Sequence, residues 1–128
     1  MGPFGGRSVA KISVKPVVRG EVYLIKFDPT VGSEIKKPRP ALVIQNDTAN
    51  RYSPVTIVAA VTSKFGDKLY PTEVLIQAGE AGLKQDSVIV FDQIRTIDKT
   101  RIVKKLGKVS AFTLKCADTA LKISVGLV

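Results

Sequence analysis

Val55-Thr56-Ile57-Val58-Ala59-Ala60-Val61 is the longest apolar stretch of the chain, broken only by Thr56. A short β-branched run bounded by turn residues predicts a strand buried on both faces. Upstream, residues 46–53 carry two Asn and one Asp and predict a loop. Before it, Pro40 can open a strand over residues 41–45, where its missing N–H matters least. A polar, Gly-containing connection over residues 30–39 leads back to a first strand over residues 22–27, ended by Asp28-Pro29. Downstream comes a polar loop over residues 64–71 with Gly66-Asp67 at its tip. Strands at residues 73–76 and 87–91 follow, separated by a Gly79/Gly82 turn, and residues 93–97 continue the sheet beyond a bend. Short strands alternating with turns predict a mainly β fold, a small barrel of five or six strands. The end differs. Ser110 is a helix N-cap, and Leu114, Ala117, Leu121 and Val125 recur on one face of a packed C-terminal helix. The β-branched Ile123 and Val125 weaken its last turn. The expected division is an N-terminal extension over residues 1–17, flexible in its Gly- and Pro-rich first part, and one domain over residues 18–128.

The chain has 128 residues, 20 Lys+Arg, 11 Asp+Glu, one cysteine and no histidine. Without histidine there is no Ser-His-Asp or Cys-His centre and no pair of imidazoles for acid–base work. One cysteine forms no intramolecular disulfide and no Cys₄ or Cys₃His zinc site. Cys116, inside the C-terminal helix, is expected to be a small buried hydrophobe. Any catalysis must use Arg, Lys, carboxylates, hydroxyls or backbone dipoles. The net charge of +9 is uneven: eight bases and four acids in residues 1–50, five and six in 51–98, seven and one in 99–128. Such a balance points to a polyanionic partner, nucleic acid before membrane. The beginning of the chain lacks the unbroken apolar run of about 7–15 residues that a secretory signal needs. Nor does any run approach the roughly 20 residues that span a bilayer. A cytoplasmic protein with no membrane partner is expected.

Three stretches could carry chemistry. Gly32-Ser33-Glu34-Ile35-Lys36-Lys37-Pro38-Arg39-Pro40 offers a hydroxyl, a carboxylate, three cations and two rigid prolines. Arg39, held between prolines, leaves from a stiff extended backbone and can grip a phosphate bidentately; equally it can pair with Glu34 at the surface. Lys36 and Lys37 steer phosphate or are simply solvated. In the second stretch the buried strand surfaces in Thr62, Ser63 and Lys64, where Thr62 either presents a firmly held hydroxyl or caps the turn. Tyr70-Pro71 closes the following loop, the tyrosine either stacking an unpaired base or plugging the barrel end. The third is Phe91-Asp92-Gln93-Ile94-Arg95-Thr96-Ile97-Asp98. Alternation places Asp92, Ile94 and Thr96 on one face and Gln93, Arg95 and Ile97 on the other. Gln93 can read a base edge there, or face water.

Taken in order, these pieces resemble the MazF/PemK family of toxins, the ribonuclease halves of bacterial toxin–antitoxin pairs. The resemblance runs from Arg19-Gly20-Glu21-Val22-Tyr23 through Asp28-Pro29-Thr30-Val31-Gly32-Ser33-Glu34 and Arg39-Pro40. It continues through the VIQND segment at residues 43–47, Ser53-Pro54, residues 57–62, Tyr70-Pro71 and residues 93–98. It implies an SH3-like barrel with a C-terminal helix, in a protein that dimerises. It further implies sequence-specific, metal-independent cleavage of single-stranded RNA, chiefly mRNA, with no cofactor and an acidic antitoxin as inhibitor. Arg39 and Thr62 match the family's catalytic arginine and threonine, and Ser33 and Glu34 fall on its active-site loop. Lys36, Lys37, Asn46, Ser63, Lys64, Tyr70, Pro71 and Gln93 are the expected RNA contacts. The loop Ile35-Lys36-Lys37-Pro38 is more basic than the family pattern, a departure that bears on the cleavage motif. Two other readings stand beside this one. The first is a non-catalytic toxin on the same barrel, like the CcdB gyrase poisons, in which an Arg39–Thr62 pair has no role. The second is a passive RNA-binding module.

Overall fold

The structure is a computed structural model that describes residues 16–27 and 37–128. Six antiparallel strands form one sheet: β1 (Glu21–Ile25), β2 (Arg39–Val43), β3 (Val55–Thr62), β4 (Glu73–Ile76), β5 (Ser87–Asp98) and β6 (Ile102–Lys108). A short helix α1 (Asp47–Tyr52) joins β2 to β3, and α2 (Ala111–Ser124) ends the chain. The strand order is β4-β5-β3-β2-β1-β6.

β3 sits at the centre of this order and is buried from both sides, as its apolar run predicts. Ala59 and Val61 join Val22, Leu42, Ile89 and Phe91 in one core cluster, together with Ala117 and Ala120 of α2. Val58 points the other way, to Tyr23, Ile25, Ala41, Val43, Ile97 and Ile102. Period-2 alternation along β1, β2 and β3 thus feeds two cores at once. The sheet curls like a barrel without closing, since β4 and β6 remain its unpaired edges. The turn after β4 bridges that gap. A Cβ on Gly82 would lie 2.1 Å from the Leu106 carbonyl oxygen, and one on Gly107 would lie 2.6 Å from the Ala81 carbonyl carbon. Only glycine lets the two backbones press together so closely.

Several expectations need correction. Residues 46–53 are not a loop. The Asn46 side chain caps α1 by accepting from the Ala49 N–H at 2.8 Å, and Asp47 sits in the first turn where it complements the helix dipole. The helix is anchored by Asn50, which is buried: its Oδ1 accepts from Gln45 Nε2 (2.9 Å) and Thr56 Oγ1 (2.7 Å), and its Nδ2 donates to the Gln45 carbonyl (2.9 Å). Residues 87–91 and 93–97 form a single twelve-residue strand. A bulge sets Ala59 opposite Ile94 but Ala60 opposite Val90, which produces the expected bend. β6 falls in a stretch to which the sequence reading assigns no element; its Lys104, Lys105 and Lys108 are the charges that protect an edge strand from further pairing. In α2 the Ser110 cap is present, its Oγ accepting from the Thr113 N–H at 3.1 Å. Ala117 and Ala120 are buried, with Leu114 and Leu121 packed beside them, but Val125 lies past the end as an exposed C-cap. Cys116 is half-buried rather than buried.

Arg19 ties the layers together. Its backbone N–H donates to Asp47 Oδ1 (2.7 Å), its Nε to the Ile44 carbonyl (2.8 Å) and its Nη2 to Asp118 Oδ1 (2.7 Å), so α1, the sheet and α2 share one residue. Among the described residues no helix is long and apolar enough to cross a membrane.

Candidate active site

The end of β3 and the beginning of β2 meet at one end of the curled sheet. The register pairs Ala41 with Ala60, Leu42 with Ala59 and Val43 with Val58. Carried two residues further, it brings Arg39 level with Thr62. On the other side of β3, Thr62 pairs with Val88 of β5. Arg39 and Thr62, distant in sequence, therefore occupy neighbouring strand ends. An open cleft of about 370 Å³ lies between them. Arg39 and Pro40 form one wall, Val61, Thr62, Ser63 and Lys64 the floor, and Leu83, Lys84, Gln85 and Ser87 the other wall.

Thr62 is half-buried, and its Oγ1 accepts the Lys64 N–H at 3.1 Å. The threonine does cap its turn, and the cap orients the hydroxyl. Among the described residues the hydroxyl's own proton has only the Lys64 carbonyl at 3.5 Å, a contact at the weak limit of hydrogen bonding that leaves it able to turn to a stronger acceptor. Arg39, Lys64 and Lys84 supply three cations to the lining, and no carboxylate among the described residues belongs to it. Such a site favours an anion that offers several oxygens, as a phosphodiester does.

The other sequence-derived candidates scatter. Ser63 and Lys64 line the cleft, and Lys37 is exposed two residues before Arg39. Ser33, Glu34 and Lys36 lie outside the described residues. Asn46 is at the opposite end of β2, its side chain occupied in capping α1. Tyr70 is 64% exposed and does not plug the barrel; its N–H donates to Glu73 Oε1 at 3.0 Å. Pro71 belongs to a separate groove between β4 and α2, beside Leu75 and Cys116. Gln93 is exposed on the bulged segment of β5 and is not part of the cleft lining. Nearby, Arg95 donates to the Phe27 carbonyl at 3.4 Å and lies 5.3 Å from the Phe27 ring centroid.

Lys84, Gln85 and Ser87 are lining residues that sequence reasoning did not single out. Their only local signal was the preceding Gly79/Gly82 turn, and nothing in that turn says which side of the sheet it faces. Among the described residues no group of three or more His, Cys, Asp or Glu side chains is placed to hold a metal ion.

Away from the cleft, burial acts on the ionisable groups of Glu21 and Lys99. Burial works against the Glu21 carboxylate, but Lys105 Nζ (2.6 Å), the Tyr23 hydroxyl (2.7 Å) and the Val18 N–H (2.8 Å) together hold its pKa below the ordinary carboxylate value. Burial pushes the Lys99 ammonium down; its Nζ donates to the Asn50 carbonyl, beneath α1.

Comparison with known proteins agrees with this architecture. The profile of the family described as PemK-like, MazF-like toxin of type II toxin–antitoxin system matches residues 18–125. Endoribonuclease EndoA of Bacillus subtilis is 46% identical over 112 residues, covering 88% of this chain and 97% of that protein. Endoribonuclease MazF of Staphylococcus saprophyticus is 46% identical over 109 residues, covering 85% and 91%. Among solved structures, MazF from Deinococcus radiodurans superposes with a TM-score of 0.70 at 27% identity, covering 88% of this chain and 98% of that one.

Proposed function

Since the chain belongs to the PemK-like, MazF-like toxin family of type II toxin–antitoxin systems, we propose that it is a sequence-specific, metal-independent endoribonuclease whose reaction centre is the Arg39–Thr62 cleft. The observation that carries the assignment is the strand register that sets Arg39 and Thr62 side by side in a lining that is cationic among the described residues. The reading matches the activity named for the two relatives at 46% identity. A gyrase-poison role is not favoured, because it leaves that pair idle.

RNA supplies its own nucleophile. The ribose 2′-oxygen bonds to the adjacent phosphorus, the bond from phosphorus to the 5′-oxygen breaks, and the products are a 2′,3′-cyclic phosphate and a 5′-hydroxyl. One proton must leave the 2′-OH and one must reach the departing 5′-oxygen. The protein has to align the two oxygens and stabilise the charge gathering on the non-bridging oxygens. Arg39, with its planar five-donor guanidinium cation, holds the phosphate bidentately and supplies the proton to the leaving oxygen as that bond breaks. Thr62, its hydroxyl oriented by the Lys64 N–H, donates to a non-bridging oxygen. Glu34, on the connection leading to Arg39, is the carboxylate assigned to accept the 2′-OH proton, with Ser33 beside it. Lys36, Lys37, Ser63 and Lys64 attract the flanking phosphates, and Asn46, Tyr70, Pro71 and Gln93 contact RNA further from the cut.

The working protein is a cytoplasmic homodimer that an acidic antitoxin segment silences by covering the basic surface, as a +9 chain invites. The residue roles are tested by Arg39→Ala and Arg39→Lys. Both are expected to fold with unchanged circular dichroism. The alanine variant should lose cleavage by orders of magnitude, and the lysine variant, charged but not bidentate, should fall between. Near-normal cleavage by folded Arg39→Ala removes this arginine from the reaction.

A further inference from the structure

The wall of the cleft opposite Arg39 is a built surface, although its residues read as an ordinary loop. The turn after β4 is pinned to β6 by the backbone contacts of Gly82 with Leu106 and of Gly107 with Ala81. The Gly79 N–H donates to the Leu83 carbonyl at 2.7 Å and the Leu83 N–H to the Glu80 carbonyl at 3.1 Å, which closes the turn. Asp86 Oδ1 accepts the Ala78 N–H at 2.8 Å, and Ser87 Oγ donates to the Gln85 carbonyl at 3.0 Å. The segment that carries Lys84 is thus held at both ends, with Leu83 and Ser87 buried on either side of the exposed Lys84 and Gln85. Lys84 makes no ion pair among the described residues, and the one acid nearest in sequence, Asp86, is committed to the backbone of the turn.

Position gives this lysine its meaning. β3 lies between β2 and β5, so Arg39 and the beginning of β5 flank Thr62 from opposite sides. Two strand spacings separate these flanks, roughly 10 Å of backbone. A single phosphate held between Arg39 and Thr62 fills one side of the cleft and leaves the Lys84 side open. We propose that Lys84 binds the phosphate next to the scissile one on a single-stranded RNA and thereby fixes the direction in which the strand crosses the cleft. Lys84 is a positioning residue: it acts on substrate affinity and register, whereas the bond-breaking groups lie across the cleft. The inference rests on the placement of the scissile phosphate at Arg39 and Thr62.

A double-mutant cycle tests it. The ligand is an RNA oligonucleotide carrying the cleavage motif mapped for the wild-type protein, with 2′-deoxyribose at the nucleophilic position so that it binds without being cut. Each phosphate flanking the scissile one is replaced in turn by a neutral methylphosphonate. At one of the two positions the replacement should weaken wild-type binding about three- to fivefold, the size expected of a solvent-facing ion pair, and should not weaken binding to Lys84→Gln any further. The Lys84→Gln variant should also lose about 0.7 from the slope of log affinity against log salt, one counterion on a single strand. With cleavable RNA, KM should rise by a similar factor and kcat stay within twofold, and Lys84→Arg should restore binding. Additive losses at both positions, or an unchanged salt slope, overturn the proposal. Loss of cleavage on Arg39→Ala is read beside it, so that an error in the reaction centre is told apart from an error about Lys84.

Discussion

Thr62→Val separates two uses of one hydroxyl. Valine keeps the β-branched shape that fits the end of β3, so the substitution deletes the oxygen and little else. For stability, the loss is a single hydrogen bond to the Lys64 N–H in an exposed turn, where water replaces the acceptor. That costs about 0.5 kcal/mol, the low end for a net intramolecular hydrogen bond. In a chain of 128 residues the melting temperature should then fall by roughly 2 °C, leaving the protein fully folded under assay conditions. For catalysis, the loss is a pre-oriented donor to developing charge on phosphorus, which removes about 2.7–4 kcal/mol of transition-state stabilisation, or a factor of about 10²–10³ in rate. The two magnitudes do not overlap, so the outcome is decisive. The assay is single-turnover cleavage of an end-labelled RNA with enzyme in excess, which isolates the chemical step, together with a melting curve. Thr62→Ser restores the donor and should recover to within about tenfold of the wild-type rate. If Thr62→Val cleaves within threefold of wild type, the hydroxyl is only a turn cap, and the donor must be sought elsewhere in the lining.

Three further outcomes test the fold that positions the cleft. Asn50→Ala strips the buried acceptor from Gln45 and Thr56, and should lower the unfolding free energy by about 3 kcal/mol in a denaturant titration, with α1 losing protection from hydrogen exchange. Gly82→Ala adds a Cβ 2.1 Å from the Leu106 oxygen at φ +74°, while Gly79→Ala at φ +98° meets nothing within 4 Å; melting curves should show a loss of about 1 kcal/mol at Gly79 and a clearly larger one at Gly82. Glu21, held below its ordinary value of 4.5 by Lys105, Tyr23 and Val18 acting against burial, contributes stability that is complete above about pH 4.5 and disappears as pH falls through its lower folded value. Urea midpoints from pH 6 to pH 2 should therefore drop less steeply for Glu21→Gln than for wild type; parallel curves would contradict the assignment.

The parts of the fold legible in sequence are those where one local rule decides. The alternation of Val58, Ala59 and Val61 between two cores follows from strand geometry, and the Ser110 cap with Leu114, Ala117 and Leu121 from helix geometry. α1 was hidden because Asn46, Asp47 and Asn50 are as much at home in a loop. What makes them a helix is Asn50 reaching Gln45 and Thr56, contacts to residues that flank and belong to the paired strands β2 and β3. β6 was hidden because Lys104, Lys105 and Lys108 earn their place by keeping an edge unpaired, a need that arises only at the level of the whole sheet. Arg39 and Thr62 stood out individually through prolines and a strand end, and their proximity came from the register. The Lys84 wall was invisible, since it depends on Gly82 meeting Leu106 across the mouth of an unclosed barrel. A chain without histidine also directs attention to the substrate's own 2′-hydroxyl as the nucleophile, which leaves positioning and charge as the protein's share.

The most direct test of the central claim is to map the ends that the purified protein leaves on a mixed-sequence RNA in excess chelator. The account predicts cuts at a short recurring motif, with 5′-hydroxyl and 2′,3′-cyclic phosphate termini and no response to added Mg²⁺. Termini bearing 5′-phosphate, or cleavage that appears only when Mg²⁺ is restored, would contradict it.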